Sequence, residues 1–318
     1  MRLQTSVVAL ALLMLASVFV TAAQAAEGKK KVVFLPGRQS HGWSGHAYTA
    51  DCKLLAKVLN EKAPGVEALV LEGGWPNDLQ VLDDAAAIVI ACDGNGLVGA
   101  ESNWKALSEL AKKGKGIAFI HYSLDPGNTP GQYVKDLVGG YYEKHWSVNP
   151  FWRAEFTKLP EHPITRGVQP FAIDDEWYYH MRFQEGMKNV TPILTAIPPD
   201  RTREGADGPH SGNPTVRAGK GQAEHVAWAY QRADGGRGFG FTGGHTHWSY
   251  AHNQYRKLLL NAVLWIAKVD VPPDGVDSPT PTAEEMEANL QGNRPKNWTP
   301  QQTQRIIDAL NSGKRVGG

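Results

Sequence analysis

GKGIAFIH, from Gly114 to His121, is a short apolar run that opens on glycines and closes on a histidine. Three earlier stretches are likewise short apolar runs, each ended by glycine, polar or charged residues: KVVFLPG (31–37), EALVLEG (67–73) and AAIVIACDG (86–94). Helix-like stretches separate them, from Tyr48 to Asn60, Leu79 to Asp84 and Glu101 to Lys113. Strand and helix patterns that alternate in this way are the signature of βαβ units. Because the strands are apolar on both faces, they are predicted to form a mainly parallel sheet covered by helices on each side, a three-layer α/β sandwich. Such sheets carry their sites beyond the carboxyl ends of the strands, which is where His121 falls.

After residue 145 the rhythm loosens. WRAEFTKL, DEWYYHMRF and VTPILTAI read as strands, and HVAWAYQRADGGRGFGFTGG (225–244) reads as a hairpin turned at Asp234-Gly235-Gly236. Asn253 to Ala267 repeats apolar residues at intervals of three and four and is expected to pack onto the sheet as a helix. Pro198 to Glu224 is a polar excursion too long for a neutral connector, so it is either disordered or a loop beside a site. From Val271 the chain reads as a Pro-rich linker followed by a helical tail (271–318), with a capping box at Thr282 to Glu285 and a further helix near Thr303 to Ser312. The tail is expected to lie on the domain surface or reach toward a partner without contributing chemistry.

The first 25 residues combine an early arginine, an apolar run from Val7 and the small-x-small ending Ala23-Gln24-Ala25. That reads as a secretory signal, so a periplasmic or secreted protein with no stable membrane span after processing is expected. The α/β domain then occupies residues 26–270. Lysine and arginine number 33 against 32 aspartate and glutamate, with no sustained basic cluster, which excludes a phosphate-backbone binder and so a nucleic-acid partner. Cys52 and Cys92 are too few for a disulfide scaffold, and spacing alone leaves open whether they pair. The sequence also leaves room for a homo-oligomer.

Candidate chemistry gathers at the strand ends. The first strand runs into Arg38, His41, Trp43 and His46, the third ends at Asp93, and the fourth ends at His121. GFTGGHTHWSYAHNQY (240–255) adds His245, His247 and Trp248, with His245 and His247 on one face if the chain is extended. In Asp174 to His180, alternation sets Glu176 and Tyr178 on a common face, and aromatic neighbours are expected to desolvate Glu176 and raise its pKa. His41, His46, His121, His245 and His247 supply nitrogen donors for a divalent metal, zinc as first choice with manganese, nickel or copper as alternatives. Glu176, His121 and His245 are the expected catalytic groups. Arg38, Trp43, Asp93, Tyr178 and Trp248 are the expected substrate contacts, the aromatic faces suiting a small carbohydrate.

GRQSHGWSGHAY, GKGIAFIHYSL, DDEWYY and GRGFGFTGGHTHWSYAHNQYRKLLLNAVLWIA together resemble the ThuA-like (trehalose-utilisation) family over roughly residues 31 to 268. The resemblance implies a flavodoxin-like or class I glutamine amidotransferase-like fold and a carbohydrate context. In the amidotransferase pattern a nucleophilic cysteine stands at a sharp turn after a central strand. Here that turn holds His121, and neither Cys52 nor Cys92 falls there, so thiol chemistry is not expected.

The expected function is an exported, metal-assisted enzyme that cleaves or rearranges a glycoside or keto-sugar. The alternatives are a non-catalytic carbohydrate-binding protein and a metal-dependent amide or ester hydrolase.

Overall fold

The computed structural model describes residues 28–94 and 96–312. The expected signal at residues 1–25 lies outside the described residues. The strands are β1 (Lys30–Pro36), β2 (Val66–Val70), β3 (Ala87–Ala91), β4 (Gly116–Ile120), β5 (Gly140–Tyr141), β6 (Phe151–Phe156), β7 (Phe171–Glu176), β8 (Arg182–Phe183), β9 (Val190–Ala196), β10 (Glu224–Gln231) and β11 (Arg237–Phe241). The helices are α1 (Tyr48–Lys62), α2 (Gln80–Asp83), α3 (Glu101–Lys112), α4 (Gln132–Val138), α5 (Pro214–Ala218), α6 (Asn253–Ile266), α7 (Ala283–Glu287) and α8 (Pro300–Asn311). Among the described residues, no helix is long and apolar enough to cross a membrane.

Seven strands form one sheet in the order β2-β1-β3-β4-β11-β10-β9. The first five pair in parallel, and β10 runs antiparallel to both its neighbours. Alternate residues of β1 serve the two faces: Val32 and Phe34 join the core under α1 and α6, while Val33 and Leu35 join the core under α3 and α4. The result is the expected α/β three-layer sandwich. Chain order reverses between β1 and β3, the place where open α/β sheets leave a crevice.

Register then sets the site. Pro36 pairs with Ala91, Ala91 with Ile120, and Ile120 with Phe241, so four strands end level with one another. The loops that follow are thereby delivered to a single edge.

The antiparallel pair β6–β7 stands outside this sheet. DEWYYHMRF is not one strand, because β7 stops at Glu176 and only Arg182–Phe183 resumes the extended form. Trp177, Tyr178 and Tyr179 are all buried, which a strand with one exposed face does not permit. Trp177 and Tyr179 enter the α1–α6 core, whereas Tyr178 turns into the other.

The excursion after Pro198 is ordered and contains a 3-10 turn (Asp200–Arg203) and α5. The linker-like PPDGVDSPTPT is held down: buried Arg256 donates to the carbonyls of Ser278 and Pro279, and Val276 is buried. The capping box at Thr282 and Glu285 opens α7.

Candidate metal centre

Loops after β1, β4 and β11, with the end of β7, bring four donor atoms together. His121 Nε2 lies 3.0 Å from His46 Nε2 and 3.4 Å from Glu176 Oε2. His245 Nδ1 lies 3.0 Å from His46 Nε2 and 2.9 Å from Glu176 Oε2. His46 and His121 are buried, and Glu176 and His245 are partly exposed.

Local backbone geometry aims these rings. His121 follows β4 directly with φ 57° and starts a 3-10 turn, while His46 has φ 43°. Left-handed conformations cost non-glycine residues roughly 1–3 kcal/mol in crowded settings and persist where the surroundings over-determine them. Gly244, at φ 108°, lets the chain turn from β11 into His245.

The outer nitrogens determine the inner ones. His46 Nδ1 meets Asp93 Oδ1 at 2.6 Å, and Tyr48 donates its hydroxyl to the same oxygen at 2.6 Å. Burial works against the Asp93 carboxylate, yet hydrogen bonds from His46, Tyr48 and Ser40 outweigh it and hold the group well below the usual carboxylate range. Burial also lowers the His46 pKa to about 4, so His46 is neutral and its Nδ1–H donates a hydrogen bond to Asp93. His121 Nδ1 donates to the Thr242 carbonyl at 2.8 Å, and the Tyr178 hydroxyl oxygen lies 3.1 Å from His121 Nε2. With both Nδ1 atoms engaged, the Nε2 atoms of His46 and His121 face each other at 3.0 Å, a contact that a cation shared between them would satisfy.

Three imidazole nitrogens and one carboxylate oxygen fit a divalent cation. Donors about 2.0–2.1 Å from an ion lie roughly 3.0 Å apart in octahedral and 3.3 Å apart in tetrahedral coordination. Four of the donor contacts, at 2.9 to 3.4 Å, span that range, and all four donors lie within 4.8 Å of one another. A carboxylate and a backbone carbonyl behind the imidazoles match the outer partners that usually orient metal-binding histidines.

Glu176 departs from expectation. Burial raises its pKa, but hydrogen bonds and charge from His121 and His245 prevail and bring it down to about 2. It is therefore ionised at neutral pH, because its neighbours are imidazoles as well as aromatics. Asn149 donates to its other oxygen at 3.2 Å.

The structure does not bring every expected residue together. His247 enters a 3-10 turn (His247–Ala251) instead of an extended segment, so its ring swings into the core. There it meets Asp51 Oδ1 at 2.6 Å and the Met286 carbonyl at 2.7 Å, away from the four donors. His41 is exposed at the rim, its ring centroid 4.0 Å from that of His46, and with His46 and Asp93 it forms a second, looser donor group. Arg38 is exposed and takes no part in these hydrogen bonds. Trp248 does not offer a free face: Trp298 stacks on it at 5.6 Å, and Trp43 packs edge-on against both. Asp93 orients His46, and Tyr178 sits behind His121. Cys52 and Cys92 are buried free thiols.

Sequence reasoning missed Ser40, Tyr48, Asn149 and the Thr242 carbonyl. Tyr48, Asn149 and Thr242 have their partners far along the chain, so no short pattern marks them, while Ser40 reaches His41 and His46 within its own loop. It also missed the tail's approach: the Gln291 backbone donates to Gln39 Oε1 at 2.8 Å, bracing the loop that carries His41 and His46. The excursion borders the site as well, since the His210 carbonyl accepts from the Asn149 backbone and the His210 ring meets Tyr142.

The family model for ThuA, trehalose utilisation, matches residues 32–266. A ThuA-like protein from Bacteroides uniformis has a similar structure, with a TM-score of 0.56, 16% identity, and coverage of 77% of this chain and 94% of that one. One from Parabacteroides merdae gives a TM-score of 0.53, 15% identity, and coverage of 78% and 95%. No curated protein is a significant match to the sequence.

Proposed function

This chain belongs to the ThuA, or trehalose-utilisation, family, whose role is carbohydrate-related, and from that premise we propose an exported, metal-dependent enzyme that cleaves keto-glycosides by elimination. The observation that carries this reading is the convergence of His46, His121, His245 and Glu176 at the sheet edge, their donor atoms all within 4.8 Å of one another and four of the contacts between 2.9 and 3.4 Å.

His46, His121, His245 and Glu176 would hold the cation, zinc being the first choice. When bound, a divalent cation supplies Lewis-acid stabilisation to negative charge developing on a ketone oxygen. Asp93 and the Thr242 carbonyl keep two of the imidazoles in the tautomer that presents Nε2. Glu176, ionised and in contact with His245 and His121, would serve as the anionic ligand.

Proton transfer falls to His41, the imidazole at the mouth, 5.5 Å from His245 between ring centroids. It removes a proton from the carbon beside the ketone. The C–H electron pair forms a carbon–carbon double bond as the bond to the glycosidic oxygen breaks. The departing oxygen takes the proton back from His41, leaving an unsaturated keto-sugar and a free alcohol.

Elemental mass spectrometry on protein purified without a tag or added metal tests this, paired with assays on keto-trehalose and other keto-glycosides. Near one cation per chain, absent from a folded His121→Ala/His245→Ala variant, is the expected result. An active wild type without metal sinks the metal assignment. A metal-loaded protein inert on every keto-glycoside sinks the substrate assignment.

A further inference from the structure

We infer that Phe151 is the platform on which a sugar ring stacks at the metal centre. The inference rests on the carbohydrate reading above and adds to it the surface that selects a ring. Strand β6 alternates cleanly: Trp152, Ala154 and Phe156 are buried, while Phe151, Arg153 and Glu155 face the other way. Arginine and glutamate suit that open face, and Arg153 pairs there with Asp174 at 2.9 Å. Phe151 is the apolar exception, 55% exposed.

Its position gives the exception a purpose. Phe151 pairs across the ladder with Glu176, and directly opposed residues of antiparallel strands project from the same face. Its ring lies 4.8 Å from that of His245 with an interplanar angle of 78°. One exposed phenyl thus stands beside two of the four donors, whereas Trp43 and Trp248 are packed against Trp298. An aromatic face accepts the apolar C–H surface of a pyranose, and the neighbouring imidazoles and carboxylate address its oxygens. Phe151 touches neither the cation nor the bond that breaks, so it should govern binding more than turnover.

The test compares Phe151→Ala and Phe151→Trp with wild type. Melting temperature and metal content check that each variant is intact. On keto-trehalose, Phe151→Ala should raise KM roughly three- to tenfold with kcat nearly unchanged, and Phe151→Trp should restore KM. Saturation-transfer NMR with trehalose supplies a readout independent of turnover. Contacts from aromatic protons to sugar C–H groups should vanish in Phe151→Ala and return in Phe151→Trp. If wild type binds trehalose through Phe151 but turns over no keto-glycoside, the enzymatic reading fails and the platform stands. If turnover occurs and Phe151→Ala leaves KM and the NMR contacts unchanged, the platform is wrong and the enzymatic reading stands. If wild type neither binds nor turns over these sugars, both are overturned.

Discussion

His245 and His247 stand two residues apart in one loop, yet the fold uses them in opposite ways. His247 is 1% exposed, and each of its ring nitrogens has its own oxygen partner, on Asp51 and on Met286. It ties α1 and the C-terminal tail to the core. Burial pushes the Asp51 carboxyl up against the opposing pull of His247, as befits a buried pair. His245 is partly exposed and shares its Nδ1 between His46 and Glu176, in a group where the Nε2 atoms of His46 and His121 also face one another. A buried polar pair with complementary partners is a structural tie. Donor atoms gathered within 4.8 Å of one another beside solvent are what the proposed cation would require.

The largest expected effect is on the cluster side of this contrast. His121→Ala should abolish metal binding and lower turnover roughly 1000-fold while the fold survives. Circular dichroism, elemental analysis and keto-glycoside assays would check this, and retained metal would remove His121 from the ligand set.

On the other side, His247→Ala should cost roughly 3 kcal/mol of stability, since it strands Asp51 in the core. The fraction that stays folded should keep its metal. Denaturant titration gives the stability, and a double Asp51→Leu/His247→Leu variant should recover part of the loss, because apolar pairs often replace buried ionic ones. Loss of metal in folded His247→Ala would erase the distinction drawn between the two histidines.

A third setting sharpens the comparison by pH. His252 caps α6 by accepting from the backbone of Gln254 and Tyr255, and burial, with repulsion from Arg256 and Arg153, lowers its pKa to about 4. His162 is lowered to about 4 by burial and by Arg237 and Arg166. A histidine whose folded pKa is depressed binds fewer protons folded than unfolded. Stability therefore falls as pH drops from about 6.5 toward 4 and levels below that. Thermal melts across that window should show the decline, and His252→Ser, which retains a capping acceptor, should lessen it. An unchanged pH profile would remove His252 from this role.

The smallest effect should come from Gln39→Ala. Gln39 Nε2 donates to the carbonyls of Gly42 and Trp43 at 2.6 Å, and its oxygen receives Gln291. Losing these exposed bonds should cost about 1 kcal/mol and weaken metal binding severalfold through the His41–His46 loop. A metal titration that gives the wild-type affinity would separate the tail from the site.

Much of the fold was legible because its signals are local. Short apolar runs ended by glycine, polar or charged residues marked the parallel strands, Asp234-Gly235-Gly236 marked the β10–β11 turn, and Thr282 with Glu285 marked α7. Part of the site was legible too, since parallel strands deliver their carboxyl-end residues to one edge. That argument found His46, His121 and His245. It grouped His247 with them because alternation assumes an extended chain, and the 3-10 turn broke that assumption. The direction of the Glu176 pKa was misjudged for a similar reason: its aromatic neighbours are adjacent in sequence, whereas the imidazoles that reverse the shift come from other strands. Phe151 left a faint trace as an apolar residue on an otherwise polar face.

The sequence by itself determined the alternation of strand and helix, the ends of most elements and the supply of histidines at the sheet edge, because periodicity and turn chemistry act over a few residues. Only the tertiary structure decided which ring nitrogens meet, since that depends on strand register and on partners such as Asp93, Thr242 and Asp51, contributed by other elements. A histidine's chemistry is set by what faces each of its two nitrogens, and those faces exist only once distant segments have packed.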